Sequence, residues 1–166
     1  MNKSAQIDYF YSLSEVLTGY HLVNLYGTGQ GDFYFSSLKE ILGEELVSEL
    51  LEAFQLQLEK VPSNPKNSLE ALVKKELLKN DQWGDVCRNI LKMWYMGNWY
   101  QMPDAWRENY VNSTKDVTKV LSTNSYKEGL VWKAMGKHPK SAKQPGFATW
   151  SFPPEINKSS SKKIKA

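Results

Sequence analysis

The chain has one cysteine, Cys87, so it can form no internal disulfide, and every CxxC or cysteine-based metal cluster is excluded. Histidine is almost as scarce. His21 and His138 stand alone and far apart, and no zinc-helix or His-rich motif is present. No apolar run approaches the roughly 18 residues that a membrane span needs. The first residues, Met1-Asn2-Lys3-Ser4-Ala5-Gln6, hold neither an apolar core nor a twin arginine, so no secretion signal is visible. A surplus of basic charge is missing as well, once its location is noticed. Four lysines, Lys158, Lys162, Lys163 and Lys165, lie in the last nine residues. Without them 17 basic residues face 18 acidic ones. The pI of about 8.8 therefore argues little for nucleic acid.

What remains is a globular composition rich in rings: six Trp, nine Tyr and six Phe in 166 residues. A chain of this length suits one domain and can bury roughly two thirds of its unfolded surface. Residues 1–157 form that domain, and 158–166 read as a disordered basic tail.

Apolar spacing of three and four predicts a helix over 5–17, with Gly19 as its stop. Residues 27–32, Gly-Thr-Gly-Gln-Gly-Asp, read as a loop. A long helix is expected near 36–60, capped by Ser36 or Ser37 and open to division at Gly43. The segment 62–65 breaks it, and a short helix follows over 68–78. The central helix starts at Asn80-Asp81 and carries Trp83, Val86, Cys87, Ile90, Leu91 and Trp94 on one face until Gly97 ends it. A further helix is expected over 122–135. Four prolines and Gly146 in the region beyond forbid regular helix there. No convincing strand alternation is visible. The fold class is all-α: a small helical bundle with a long irregular C-terminal arm over 136–157.

Catalytic patterns fare poorly. Gly27-x-Gly29-x-Gly31 places its third glycine one position early for a dinucleotide fingerprint, and a P-loop lysine is missing. Glu45, Glu49 and Glu52 share a helix face, the usual solvated arrangement. Ser12, Ser14 and Ser151 lack a nucleophile-elbow context. Cys87 lies on the apolar stripe, where an inert thiol is expected. His138, before Pro139, is the one plausible acid–base residue, paired with Tyr126 or a nearby carboxylate; a hydrogen bond that locks the arm is the simpler reading. Single-stranded nucleic acid could stack on the rings, but only Lys92 and Arg107 are interleaved with them.

The positive signal is aromatic. Trp94, Tyr95, Trp99, Tyr100 and Trp106 fall within thirteen residues, and Trp132, Phe147, Trp150 and Phe152 follow. In order and spacing, Leu13-Ser14-Glu15-Val16-Leu17-Thr18-Gly19, Gly27-Thr28-Gly29, Ile90-Leu91-Lys92-Met93-Trp94-Tyr95-Met96-Gly97 and Gly129-Leu130-Val131-Trp132 resemble the small subunits of membrane-bound, FAD-dependent sugar and alcohol dehydrogenases, the D-sorbitol dehydrogenase family. His138-Pro139, Pro145-Gly146-Phe147, Trp150 and Pro153-Pro154 continue the pattern, which covers residues 8–154. Small subunits of FAD glucose, fructose and gluconate dehydrogenases are similar.

The resemblance implies a non-catalytic subunit with no cofactor of its own. FAD and the catalytic histidines belong to a large glucose–methanol–choline-type partner, and electrons often pass on to a multihaem cytochrome c. The small subunit serves folding and export of the large one, and the family's twin-arginine leader is not in this sequence. A complete chain would put the complex in the cytoplasm; a trimmed leader would put it in the periplasm at the membrane. The alternatives are an interaction module without a flavoprotein partner and a small enzyme using His138. Within the central stretch, Trp83 and Trp94 are expected in the core. Tyr95, Met96, Trp99, Tyr100 and Trp106, with His138, Phe147, Trp150 and Phe152, are expected to meet the partner. One or both of Trp99 and Trp106 should then be largely exposed in the isolated chain and covered in the complex.

Overall fold

In the computed structural model the described residues are 3–61 and 68–139, with side chains from Ala5 onward. They are mostly helical. In chain order they form α1 (Lys3–Thr18), α2 (Leu22–Gly27), α3 (Gly31–Leu42), α4 (Glu44–Lys60), α5 (Leu69–Glu76), α6 (Gly84–Met96), β1 (Asn98–Trp99), α7 (Asp104–Asn109), β2 (Lys119–Val120), α8 (Thr123–Lys127) and α9 (Leu130–Ala134). The bundle is built around α1, which packs on each of α2 to α6. Its inward face carries Phe10, Tyr11, Leu13, Ser14 and Thr18, all buried. On the far side, α6 contacts α8, α9 and β1.

The expected stripe of α6 is present apart from Leu91, which is only half-buried. Trp83, Val86, Cys87, Ile90 and Trp94 are buried, so both core tryptophans are where the spacing put them. The Trp94 ring meets Tyr34 edge-on at 5.0 Å and lies 6.3 Å from Phe10. These rings join three helices that are remote in sequence.

Helix boundaries differ from the sequence reading in three places, each with a physical cause. The third helix begins at Gly31, not Ser36, so Ser36 and Ser37 lie inside it and cap nothing. Gly31 is needed there because a Cβ would come within 2.0 Å of the Tyr11 hydroxyl. Gly43 does divide the long helix, at a φ of 89° that other residues rarely adopt. The sixth helix begins at Gly84 because the Asn80 carboxamide first accepts the amides of Gln82 and Trp83, making a turn of its own. The helix expected over 122–135 is two: Ser122 caps α8 by accepting the Ser125 amide, and extended Gly129 separates it from α9.

The sequence showed no strand pair, yet β1 and β2 pair antiparallel with Asn98 opposite Val120. Two residues per strand are too few to display alternation. Segment 62–65, the arm from residue 140 and the tail 158–166 lie outside the described residues.

Burial has a consequence for alkaline stability. It pushes the Cys87 thiol up to about 12 from an ordinary 9.0, against an opposing pull from Arg88. It also pushes the Tyr34 hydroxyl up to about 12 from 10.0. Both groups stay protonated in the folded chain while the unfolded chain ionises near 9 and 10. Stability from these groups is therefore fully present below about pH 9 and is lost as pH rises toward 12. Urea midpoints should hold near neutrality and fall above about pH 9; a midpoint constant up to about pH 11 would contradict this. Folded Cys87 should likewise resist a thiol reagent until the protein unfolds.

Candidate partner-binding surface

The aromatic cluster is sorted by hydrogen bonding as much as by helical spacing. After α6, Gly97 adopts the left-handed conformation at φ 70° and turns the chain back over the bundle. The next residues run through β1 into a short loop, 100–102, that has almost no regular backbone partners. Side chains supply them. Asn89 on α6 accepts the Tyr100 amide at 3.2 Å and donates to the Tyr100 carbonyl at 2.8 Å. Thr118 accepts the Gln101 amide. Asp116 accepts the Met102 amide at 3.1 Å and the Trp99 indole N–H at 2.7 Å.

This corrects the expectation for two tryptophans. Trp99 has no exposed surface and Trp106 is 4% exposed. A buried indole N–H usually finds an acceptor. For Trp99 that acceptor is Asp116, and for Trp106 it is the Gln82 carbonyl at 2.8 Å. Neither ring offers free surface to a partner. Asp116 itself is 1% exposed. Its second oxygen lies 3.4 Å from the Arg107 guanidinium, an ion-pair contact rather than a good hydrogen bond.

The other expected interface residues divide. Tyr95, Met96 and Tyr100 are half-buried. The Tyr95 hydroxyl donates to the Thr18 carbonyl at 3.0 Å, so α6 is tied to the end of α1. The Tyr100 ring lies beneath the Lys92 ammonium at 4.7 Å. His138 is exposed. Phe147, Trp150 and Phe152 lie outside the described residues.

His138 lines an open groove of about 450 Å³ between α2 and the 127–139 region. Val23, Leu130 and Trp132 supply apolar wall, and Lys127, Lys133 and Lys137 surround it. Lys133 is held by the Asn24 carboxamide and rests 5.5 Å from the Tyr20 ring. Glu128 also lines the groove, but Tyr126, the other partner considered for His138, packs edge-on against Trp132 instead. Val23 is 75% exposed, an unusual position for an aliphatic side chain on a short helix. The sequence missed this groove because its walls come from segments a hundred residues apart.

Glu45, Glu49 and Glu52 are exposed, as their spacing implied. Among the described residues no three His, Cys, Asp or Glu side chains are grouped to hold a metal ion, and no helix is long and apolar enough to cross a membrane. No family model, curated protein or solved structure matches the chain.

Proposed function

We propose that this chain is an accessory subunit that binds a large FAD-dependent oxidoreductase of the glucose–methanol–choline type and assists its maturation, with the FAD and the chemistry residing in the partner. One observation carries the reading. Those motifs of the resemblance that lie among the described residues, dispersed in sequence, meet in space. Tyr95 of the central motif bonds Thr18 of the first. Gln30, next to the glycine motif, accepts the Ser125 hydroxyl at 3.3 Å, and α9, which carries Leu130 and Trp132, packs on α6. Residues that meet this way shape a scaffold. A scaffold that presents a surface is what an accessory subunit requires, and a separate enzyme would need reactive groups gathered at one point. A multihaem cytochrome as electron acceptor, and export together with the large subunit, belong to the same proposal.

Co-expression tests it. The partner to use is a glucose–methanol–choline-type flavoprotein from the same organism. Produced with the chain, that protein should be soluble, carry FAD and reduce a dye with its sugar or alcohol substrate. Produced alone, it should lose most of its bound flavin. Equal flavin content and turnover in both preparations would overturn the proposal.

A further inference from the structure

We propose that the groove between α2 and α9 is the docking site of the chain's own aromatic segment 147–152. The argument starts from where the described chain ends. Pro139 is buried and, with Lys137 and His138, forms part of the groove wall. The described chain ends in the wall of the groove. The residues that follow include Gln144-Pro145-Gly146-Phe147-Ala148-Thr149-Trp150-Ser151-Phe152, nine positions with no charge and three large rings.

Reach is sufficient. Phe147 is eight residues beyond Pro139 and Phe152 thirteen, which allows up to about 26 and about 43 Å of extended chain. A tether of that length keeps the rings at an effective concentration of order millimolar, which a separate partner must outcompete.

Chemistry matches as well. The groove offers Val23, Leu130 and Trp132 as apolar contact. Lysines in this protein already lie over rings: Lys39 on Phe35 and Lys92 on Tyr100, each at 4.7 Å. Lys127 and Lys137, which also line the groove, can do the same for Trp150 and its neighbours. The acidic residue nearest the rings, Glu155, follows Phe152 closely enough to meet the same lysines.

The test uses the full-length chain with Val23→Cys and Trp150→Cys together, leaving buried Cys87 in place. Mild oxidation should give an intramolecular disulfide, seen as a faster-migrating monomer. Its rate should exceed by roughly tenfold that of a control pair, Leu56→Cys with Trp150→Cys, because docking raises the local concentration of one thiol at the other. Leu56 is exposed on α4, which packs on α1, α3 and α5. Equal rates for the two pairs would overturn docking. A disulfide-linked dimer would mean that the groove receives the segment of a second copy, and would overturn docking within one chain. As a measurement without new thiols, the Val23 methyl resonances should move in Trp150→Ala and stay in Lys165→Ala; unmoved resonances in both would also overturn the proposal.

Discussion

Asp116→Ala is expected to lower the unfolding free energy by about 2–5 kcal/mol, because it leaves two buried donors without their acceptor. The carboxylate is 1% exposed and serves three groups: the Trp99 indole, the Met102 amide and the Arg107 guanidinium. Alanine leaves all three without it, and each orphaned buried donor costs about 1–3 kcal/mol. Asp116→Asn keeps one acceptor oxygen but turns an N–H₂ toward donors, so its loss should be smaller yet clear, about 2 kcal/mol. Urea unfolding followed by tryptophan emission measures both. Trp99 should become accessible to a quencher in the alanine variant before global unfolding, since the carboxylate holds its loop down. A loss below about 1 kcal/mol for alanine would mean that the loop is held by packing alone.

Trp99→Phe tests the same link from the other side. It keeps most of the apolar volume and removes one donor to Asp116. The two changes share a contact, so their effects should fall short of additive by about 0.5–3 kcal/mol. Additive losses would show that the indole and the carboxylate act independently.

Why Trp99 was misassigned from sequence follows from this network. Helical spacing reports side chains on a regular element; Trp94 was legible because it lies on one, and Trp83 because it stands at that helix's N-cap. Trp99 sits beyond Gly97, where the period ends. Its burial depends on an acceptor 17 residues away, and nothing in the local pattern names that acceptor. Asp116 was hidden for the converse reason, since an aspartate among polar residues reads as solvated unless its donors are known. Trp106 follows the same rule, with a carbonyl 24 residues earlier. Breaks were more readable than caps: Gly43 does divide its helix, whereas the cap expected at Ser36 or Ser37 lies inside α3, and Ser68, which does cap α5, drew no expectation. The start of α3 was not, because Gly31 answers to the Tyr11 hydroxyl, a contact across 20 residues. Of the candidate surface, His138 was legible as a residue, while the groove around it depends on α2 and α9 coming together.

Gly97→Ala should be the most damaging glycine substitution in this part of the molecule, and the reason joins the fold to the groove. Gly97 caps α6 at φ 70°, where an L side chain costs about 1–2 kcal/mol. Its added methyl would also meet the Ser125 carbonyl carbon at 2.4 Å and the Tyr126 amide nitrogen at 2.7 Å. Those atoms are backbone of α8 and cannot rotate away. The resulting overpacking costs about a further 1–3 kcal/mol, for a total near 2–5 kcal/mol. Gly19→Ala is the matched control: its φ is 72°, but no atom lies within 4 Å of the new methyl, so only the conformational cost applies, about 1–2 kcal/mol. Thermal unfolding of the two variants separates strain from collision, and equal losses would remove the collision from the account. A second consequence follows where Gly97→Ala remains folded at low temperature. Pushing α8 outward displaces Lys127 and Glu128, which line the groove beside α2. The Val23–Trp150 disulfide should then form more slowly in Gly97→Ala than in Gly19→Ala, because the strained end of α6 fixes the wall on which the aromatic segment rests.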